Sequence, residues 1–296
     1  MADFQGIIVI HKEKGFTSHD VVAKLRGILH MKKIGHTGTL DPDATGVLPV
    51  ALGKGTKLVD LRTDKEKTDE AAIHLGIDTD TQDMSGTVLE EKPVNVTEEE
   101  VRKVLKSFVG EQLQVPPMYS ALKVNGKKLY ELAREGKTVE RKARPVCFYE
   151  IEPLEFHLPL VKIRVTCSKV TYIRTLCHEM GEKLGCGGCM EELLRSRVGR
   201  YSLFESHTLA QVEAAVADGT VQDMIDPVEA VLAEYPALYA DSYGDRLLAN
   251  GNPLSDNLVR PQHKEGWVRM YASDGTFTGI FQWDAGKKKY YPVKMF

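Results

Sequence analysis

The chain has 296 residues, of which 42% are hydrophobic, and its formal net charge is −3. Its length suits one large core or a large and a small one, and no apolar run approaches the roughly 18–20 residues that span a bilayer. The N-terminus shows no signal-peptide pattern and the five cysteines are an odd number, so we expect a cytoplasmic protein with reduced thiols rather than a membrane protein or a disulfide scaffold.

The N-terminal residues predict a strand followed by a helix. Residues 6–10, GIIVI, are apolar and β-branched, which favours a short buried strand. Thr17 or Ser18 can cap a helix, because apolar residues then follow at helical spacing. The bases Lys32 and Lys33 come just after this helix, so positive charge leads directly into the next stretch.

Residues 35–49, GHTGTLDPDATGVLP, place three glycines and two prolines around one histidine and two carboxylates. Pro42 fixes its own φ and pushes Asp41 toward an extended conformation. A rigid irregular loop that presents a carboxylate is a usual way for a scaffold to offer a reactive group. Clusters of Gly, Pro and Asp also make ordinary turns, and the residues alone leave that interpretation open.

The next part of the chain is acidic. Residues 64–100 hold twelve Asp and Glu against three Lys. Within it, residues 71–76 predict a strand and residues 78–86 a polar turn, whose spacing does not fit a calcium-binding EF-hand loop. Thr97 with three glutamates after it starts a helix, which we expect Gly110 to end.

Residues 123–144 are basic, with eight Lys and Arg against three acids. Tyr119 and Tyr130 lie in or beside this stretch, and residues 129–136 predict a short helix. Bases mixed with aromatic rings suit phosphate contacts and base stacking. An ordinary solvated surface would look similar, so the pattern is compatible with an RNA partner without requiring one.

The residue pattern of the remaining sequence changes once, near residue 236. Residues 161–167 alternate as a strand and lead into a helix, and residues 208–234 read as helical. From residue 236 onward, short strands alternate with turn signals. Cys186 and Cys189 form a lone CxxC without two further ligands at zinc spacing, so we interpret them as core or loop residues.

Three motifs carry a resemblance to a known family. Residues 35–49, followed by LGKGTK at 52–57, resemble the catalytic motif of the bacterial tRNA pseudouridine-55 synthases, the TruB family. SKVTYIR at 168–174 resembles the family's SKGTYIR, and EELLRSRVGRYSL at 191–203 resembles its third motif. The resemblance implies an α+β pseudouridine synthase fold with a mixed, largely antiparallel central sheet flanked by helices and loops. It also implies a small β-rich, PUA-like RNA-binding domain at the C-terminus.

The resemblance divides the chain and suggests its partner. Residues 1–232 would form the catalytic domain and residues 233–296 the PUA-like domain. Residues 115–146 resemble the thumb loop that grips RNA in this family. We expect tRNA as the partner, bound through its T arm and, by the C-terminal domain, near its acceptor end, with the protein acting as a monomer.

The resemblance also implies catalytic roles. The aspartate of the first motif is the family's catalytic residue and corresponds to Asp41, and its arginine partner corresponds to Arg174. The reaction breaks the N1–C1′ bond of uridine and rejoins the base through C5. Arg174 would keep Asp41 ionised and oriented. Whether Asp41 attacks the base or the sugar, or removes a proton, stays open, and the reaction calls for no metal or organic cofactor.

Further residues are expected to bind the substrate. Tyr172 would contact the flipped uridine and Leu193 would line its pocket, since a base must leave its stack to react. His36 would contact RNA, with a structural hydrogen bond as the alternative. Lys12 lies in a segment that resembles the family's KPxGxTS and that we expect to support the catalytic loop; we also place Lys12 among the substrate-binding residues.

Two positions depart from the family pattern. Asp69 stands where the family has a tyrosine that stacks on the base, so we place it among the substrate-binding residues, and Val170 replaces a glycine. Aspartate cannot stack, and a second carboxylate near Asp41 would disfavour charging both. A positive φ at Val170 would be strained. We therefore predict slow turnover with better preserved RNA binding, and a faster rate for Asp69→Tyr.

The resemblance implies one function and leaves two others to be considered. The leading one is an isomerase that converts uridine 55 in the T arm of tRNA to pseudouridine. The alternative is a tRNA-binding or tRNA-folding chaperone whose catalysis is weakened at Asp69. A hydrolase that uses His36 and Asp41 is the third, and no other residue supports it.

Overall fold

A computed structural model of the chain describes residues 4–61, 66–124 and 126–296. The helices are α1 Ser18–Ile28, α2 Leu58–Leu61, α3 Glu98–Lys106, α4 Leu129–Arg134, α5 Ile173–Leu184, α6 Leu209–Asp218, α7 Val228–Val231 and α8 Ser242–Leu248. The strands up to the middle of the chain are β1 Gly6–Lys12, β2 Ile34–His36, β3 Thr45–Leu52, β4 Glu66–Leu75, β5 Ile77–Thr79, β6 Val88–Glu91, β7 Gly110–Gln114, β8 Lys123–Val124, β9 Lys127–Lys128 and β10 Arg144–His157. The later strands are β11 Leu160–Ser168, β12 Gly188–Val198, β13 Tyr201–Ser202, β14 Ile225–Asp226, β15 Ala237–Ala240, β16 Leu254–Ser255, β17 Val259–Arg260, β18 Trp267–Tyr271, β19 Phe277–Asp284 and β20 Lys289–Met295.

The large sheet runs in the order β14-β1-β3-β12-β4-β11-β10-β7, with β2 paired to β3 and β13 to β12. Strands β3 and β12 are parallel, and the other neighbours in this order are antiparallel. The predicted α+β class with a mixed, largely antiparallel sheet is confirmed. None of the helices in the described ranges is long and apolar enough to cross a membrane.

Strand β1 shows why the N-terminal sequence is apolar without alternation. Ile8 and Ile10 belong to the core cluster that includes α1 and α5, whereas Ile7 and Val9 belong to a second cluster on the opposite face of the sheet. Successive side chains of a strand point to opposite faces, so a strand that is covered on both sides needs apolar residues at every position. The predicted buried strand is confirmed.

The predicted helix starts are also confirmed. Thr17 caps α1: its Oγ1 accepts from the Asp20 backbone N–H at 3.0 Å, and its own N–H donates to the Asp20 carboxylate at 2.8 Å. Thr97 and Glu100 form the same reciprocal pair at the start of α3. Each pair satisfies two backbone donors that a helix start leaves free.

Two predicted helices end earlier than expected. The helix that starts after Thr208 stops at Asp218, because Gly219 adopts a left-handed conformation with φ of 74°. A 3₁₀ helix at Val221–Met224, strand β14 and helix α7 lie in the rest of the segment that was predicted as one helix. Helix α3 ends at Lys106, and Gly110 instead begins β7.

The C-terminal residues form a second sheet with the order β16-β20-β19-β18-β15-β17. It has its own apolar core, built around residues such as Leu238, Phe281 and Tyr290. Ile280 packs in the second core cluster of the large sheet, and Lys57 Nζ donates to the Met295 carbonyl at 2.9 Å. The predicted small β-rich part is therefore present and lies against the large sheet.

The parallel contact between β3 and β12 requires glycine at one position. Gly46 lies opposite Arg195 and has φ of +105°. A Cβ atom built on Gly46 would lie 2.2 Å from the Arg195 carbonyl oxygen. No other residue can take this φ cheaply and approach the neighbouring backbone so closely.

We predict that Gly46→Ala destabilises the protein far more than Gly110→Ala does. Gly110 has the same φ of +105° but no atom within 4 Å of a built Cβ, so it isolates the cost of the conformation from that of the clash. We expect a loss of about 1 kcal/mol for Gly110→Ala and at least about 3 kcal/mol for Gly46→Ala. Urea unfolding of both variants measures this. Equal losses of stability in the two variants would show that β12 can move away from the added methyl group at no cost in free energy.

Candidate active site

Residues 37–44, here called the carboxylate loop, connect β2 to β3 and carry Asp41. The Pro42 carbonyl accepts from Lys12 Nζ at 3.0 Å and from the Gly15 backbone N–H at 2.9 Å. The Leu40 N–H donates to the hydroxyl of Ser18, at the start of α1, at 3.0 Å. The end of β1 and the beginning of α1 thus hold the loop on one side.

Lys12 lies beneath the loop rather than on its open side. Its side chain is fully buried, and Nζ also donates to the Phe16 carbonyl at 2.6 Å. Burial lowers the pKa of Lys12 to about 8, although the charges of Asp41 and Asp43 oppose this shift. Because Lys12 has no exposed surface to offer a substrate, we correct its predicted role from substrate binding to support of the carboxylate loop.

Arg174 contacts both carboxylate oxygens of Asp41, one by a hydrogen bond and one as an ion pair. Its Nη2 donates to Oδ1 at 3.1 Å, and Nε lies 2.9 Å from Oδ2 without the geometry of a hydrogen bond. The Arg174 side chain is 5% exposed, whereas the Asp41 side chain is 36% exposed. The structure therefore brings the two predicted catalytic residues together, with the cation buried and the carboxylate open to one side.

The same guanidinium joins two further segments to the site. Nη1 donates to the Thr81 carbonyl at 3.0 Å and lies 3.4 Å from the Asp83 carboxylate, while Nη2 donates to the Tyr119 carbonyl at 2.8 Å. From sequence, Thr81 and Asp83 were only part of a polar turn. Their role as partners of Arg174 follows from the tertiary structure alone.

Tyr172 is positioned by a residue that the sequence did not single out. The Gln114 side chain accepts from the Tyr172 backbone N–H at 2.8 Å and donates to its carbonyl at 3.0 Å. Tyr172 is the residue before α5, so this pair fixes the start of the helix that carries Arg174. Burial raises the pKa of the Tyr172 hydroxyl, which keeps it protonated near neutral pH.

Asp69 belongs to a buried group of charges. It lies on β4 directly opposite Arg195 of β12, and Arg195 Nε donates to its Oδ1 at 3.0 Å. Lys67, two residues earlier and therefore on the same face of β4, pairs with Oδ2. The Asp69 side chain has no exposed surface.

These contacts change what the sequence suggested for Asp69. Burial opposes its charge, but Lys67 and Arg195 more than offset that effect and hold the pKa of Asp69 below its ordinary value. The carboxylate is thus compensated, and a fully buried side chain cannot meet a substrate. We correct its predicted substrate-binding role, and we no longer expect Asp69→Tyr to raise the rate, because that change would leave two buried bases without their partner.

Two other predicted binding residues lie on strands that pair with β3. Leu193 lies on β12, a strand, and is 7% exposed within the main core cluster. His36 ends β2, and its Nε2 lies 3.4 Å from Nδ1 of His19, with the two rings edge to face. Burial lowers the pKa of His36. Contact of either residue with RNA stays a prediction.

Val170 causes no backbone strain. The non-glycine residues with positive φ in the described part of the chain are His30, Gln82 and Lys288. The Val170 side chain is 56% exposed. The replacement of the family glycine therefore requires no unusual conformation at this position.

The basic segment at residues 123–144 surrounds α4. Lys128 Nζ and the Arg134 guanidinium lie 5.2 and 5.4 Å from the centre of the Tyr130 ring. Arg141 reaches back to donate to the Pro116 carbonyl at 3.0 Å. Cations held beside an aromatic ring form a surface suited to phosphates and bases.

Comparison with known proteins identifies relatives along most of the chain. A family model described as "TruB family pseudouridylate synthase (N terminal domain)" matches residues 26–173, and one described as "tRNA pseudouridylate synthase B C-terminal domain" matches residues 174–233. A tRNA pseudouridine synthase B of Lachnoclostridium phytofermentans is 50% identical over 98% of this chain and 99% of its own length. The protein of the same name from Bacillus pumilus is 46% identical over 93% of this chain and 92% of its own length.

Solved structures share the fold. One titled "Crystal Structure of a Cbf5-Nop10-Gar1 Complex" contains a chain that is 27% identical, with a TM-score of 0.74 over 98% of this chain and 84% of that one. Another, "Structure of H/ACA RNP bound to a substrate RNA containing 2'-deoxyuridine", gives 26% identity and a TM-score of 0.72 over the same shares.

We predict a pH-dependent contribution of Lys12 to stability. Between pH 8 and about 10.5, the unfolded chain holds a proton on Lys12 that the folded chain has lost, so the free energy of unfolding rises with pH in this window. The difference in unfolding free energy between wild type and Lys12→Met should rise by on the order of 2 kcal/mol across it.

Chemical denaturation at a series of pH values measures this difference. Lys14→Met, at an exposed neighbour, controls for the loss of one positive charge. A difference for Lys12→Met that stays flat from pH 8 to 10.5 would contradict the prediction.

Proposed function

The chain belongs to the TruB family of pseudouridylate synthases, and from this premise we propose that it isomerises uridine 55 in the T arm of tRNA to pseudouridine. The observation that carries the proposal is the Asp41 carboxylate, held on both oxygens by buried Arg174 and yet 36% exposed. It lies in the motif that resembles the family's catalytic one. Relatives that are named for this reaction on tRNA match the chain almost from end to end.

The chemistry needs a carboxylate that stays ionised beside the sugar and the base. The reaction breaks N1–C1′, turns the uracil and forms C5–C1′; the hydrogen on C5 leaves as a proton and N1 gains one. Arg174 supports this role of Asp41, because a hydrogen bond from Nη2 to Oδ1 and the close approach of Nε to Oδ2 fix the orientation of the carboxylate. The Asp83 carboxylate also lies near this guanidinium, 3.4 Å from Nη1 of Arg174.

The target uridine must leave its stack to reach Asp41. We assign Tyr172 to the flipped base, since its protonated hydroxyl can donate a hydrogen bond and its backbone is fixed by Gln114. Leu193 would line the pocket and His36 would contact the RNA. Their positions on β12 and at the end of β2 support these assignments.

Two surfaces would hold the rest of the tRNA. Residues 115–146, which include the basic segment at 123–144, suit the backbone of the T arm. In residues 233–296, which we treat as the second domain, Lys264 Nζ lies 4.6 Å from the Trp283 ring centre and Lys287 Nζ lies 4.8 Å from that of Tyr291. We assign this surface to the acceptor end. The enzyme would act in the cytoplasm as a monomer.

We predict that Asp41→Asn abolishes the reaction and leaves RNA binding almost unchanged. The measurement is tritium release from a T-arm stem-loop that carries 5-³H-uridine. The variant should lose at least about a thousandfold in rate, and its Kd for the RNA should stay within about threefold. Binding without release by the wild type would favour the tRNA-chaperone function, and strand cleavage would favour a hydrolase.

We predict that Arg174→Lys lowers kcat by about a hundredfold, because an ammonium cannot hold both oxygens of Asp41 and also reach the carbonyls of Thr81 and Tyr119. The single-turnover rate in the same assay measures this effect. Lys183→Arg, which also exchanges one basic side chain for the other, at an exposed residue in the last turn of α5, is the matched control. A rate for Arg174→Lys equal to that of wild type would show that the reaction does not need the contacts of the Arg174 guanidinium with both oxygens of Asp41.

A further inference from the structure

The buried charges around Asp69 lie outside the contacts assigned to catalysis so far. The Lys67, Asp69 and Arg195 side chains are 7%, 0% and 9% exposed. Removing three charges from water costs several kcal/mol for each ion, and the mutual attraction of the charges often only offsets that cost. The strands β4 and β12 would pair through their backbones without them. The stability of the fold alone therefore does not explain why these three charges are buried together.

Arg195 connects this group to the carboxylate loop. While its Nε donates to Asp69, its Nη1 lies 3.3 Å from the Thr39 carbonyl and donates to it. Thr39 is two residues before Asp41. The Arg195 backbone also lies against Gly46, just after the loop, so one residue of β12 contacts the chain on both sides of Asp41.

We propose that Asp69 and Arg195 are positioning residues for the reaction, an inference that rests on the proposed function. Asp69 fixes the Arg195 guanidinium, and Arg195 fixes the loop through the Thr39 carbonyl. Lys12 holds the loop at Pro42, the residue after Asp41, so the loop is fixed on both sides of Asp41. The side chain of Lys67 pairs with Asp69, and among the described residues no hydrogen bond or ion pair joins it to the loop.

The shape of the arginine side chain suits this task. Its planar fork presents separate donors to a carboxylate and a carbonyl at once, whereas a lysine presents one point charge. A displacement of about 1 Å at a reacting group can cost a hundredfold in rate. The loss of the Asp69 anchor should therefore appear in kcat rather than in RNA affinity.

Three variants separate positioning from stability. Lys67→Met keeps the Asp69–Arg195 pair. Asp69→Leu removes the anchor, because leucine is of similar size but has no acceptor for Arg195, and it leaves two buried bases unpaired. The double variant Asp69→Leu/Lys67→Met removes the anchor but returns the net charge of the group to its original value of +1. Stability should be lowest for Asp69→Leu and should recover in part in the double variant.

The decisive comparison is kcat for tritium release by the double variant and by Lys67→Met, well below the melting temperature of each. We expect Lys67→Met to stay within about twofold of wild type and the double variant to fall at least about tenfold. KM should change by less than about threefold in both. A double variant with the kcat of Lys67→Met would overturn the proposal.

A second pair of variants tests the proposal even if the double variant does not fold. Arg195→Lys keeps the charge but cannot serve Asp69 and Thr39 together, and we expect the same tenfold loss in kcat. Arg197→Lys is its matched control, since Arg197 lies two residues further along β12 and pairs with Glu66 at 2.7 Å. Equal kcat values for these two variants would also overturn the proposal.

Hydrogen exchange gives a readout that does not depend on the reaction. Amides of residues 37–44 should exchange at least about tenfold faster in the double variant and in Arg195→Lys than in their controls. If wild type releases no tritium, the proposed function fails, and this exchange then tests only whether Asp69 and Arg195 fix the loop. Unchanged exchange in that case overturns the inference that they do.

Discussion

The site depends on the buried guanidinium of Arg174. A cation at 5% exposure is tolerable only with partners around it, and Arg174 finds them in Asp41, Asp83 and two backbone carbonyls. These partners come from three loops that are far apart in the sequence. Each loop thereby contacts the start of α5, and of the two carboxylates Asp41 is the more open to solvent, at 36% exposure against 14% for Asp83. The same contacts thus support both folding and the reactive carboxylate.

A second arginine organises the opposite side of the carboxylate loop. Arg195 reaches the site because β12 runs parallel to β3, a pairing that requires glycine at position 46. Its charge is compensated by Asp69 in the way that Asp41 compensates Arg174. The loop therefore lies between two arginines, one that contacts the carboxylate itself and one that contacts its backbone at Thr39.

The effect of an aspartate at position 69 depends on the charged residues around it. Beside Asp41 in a pocket, a second carboxylate would disturb the ionisation of the first. In the structure its charge is matched by Lys67 and Arg195, and its pKa is lowered. The spacing of Lys67 and Asp69 places them on one face of a strand, which the sequence could have shown. The sequence could not have shown that Arg195, 126 residues later, pairs with Asp69.

The sequence by itself determined the local structure and the family. The apolar run at residues 6–10, the threonine caps at Thr17 and Thr97 and the three motifs act over short distances, so they can be recognised without the fold. Tertiary structure decided which loops meet at Arg174, that Lys12 lies beneath the loop, and that Asp69 faces Arg195. These depend on strand order and register, which place residues far apart in the chain within hydrogen-bonding distance, and no local pattern encodes that distance.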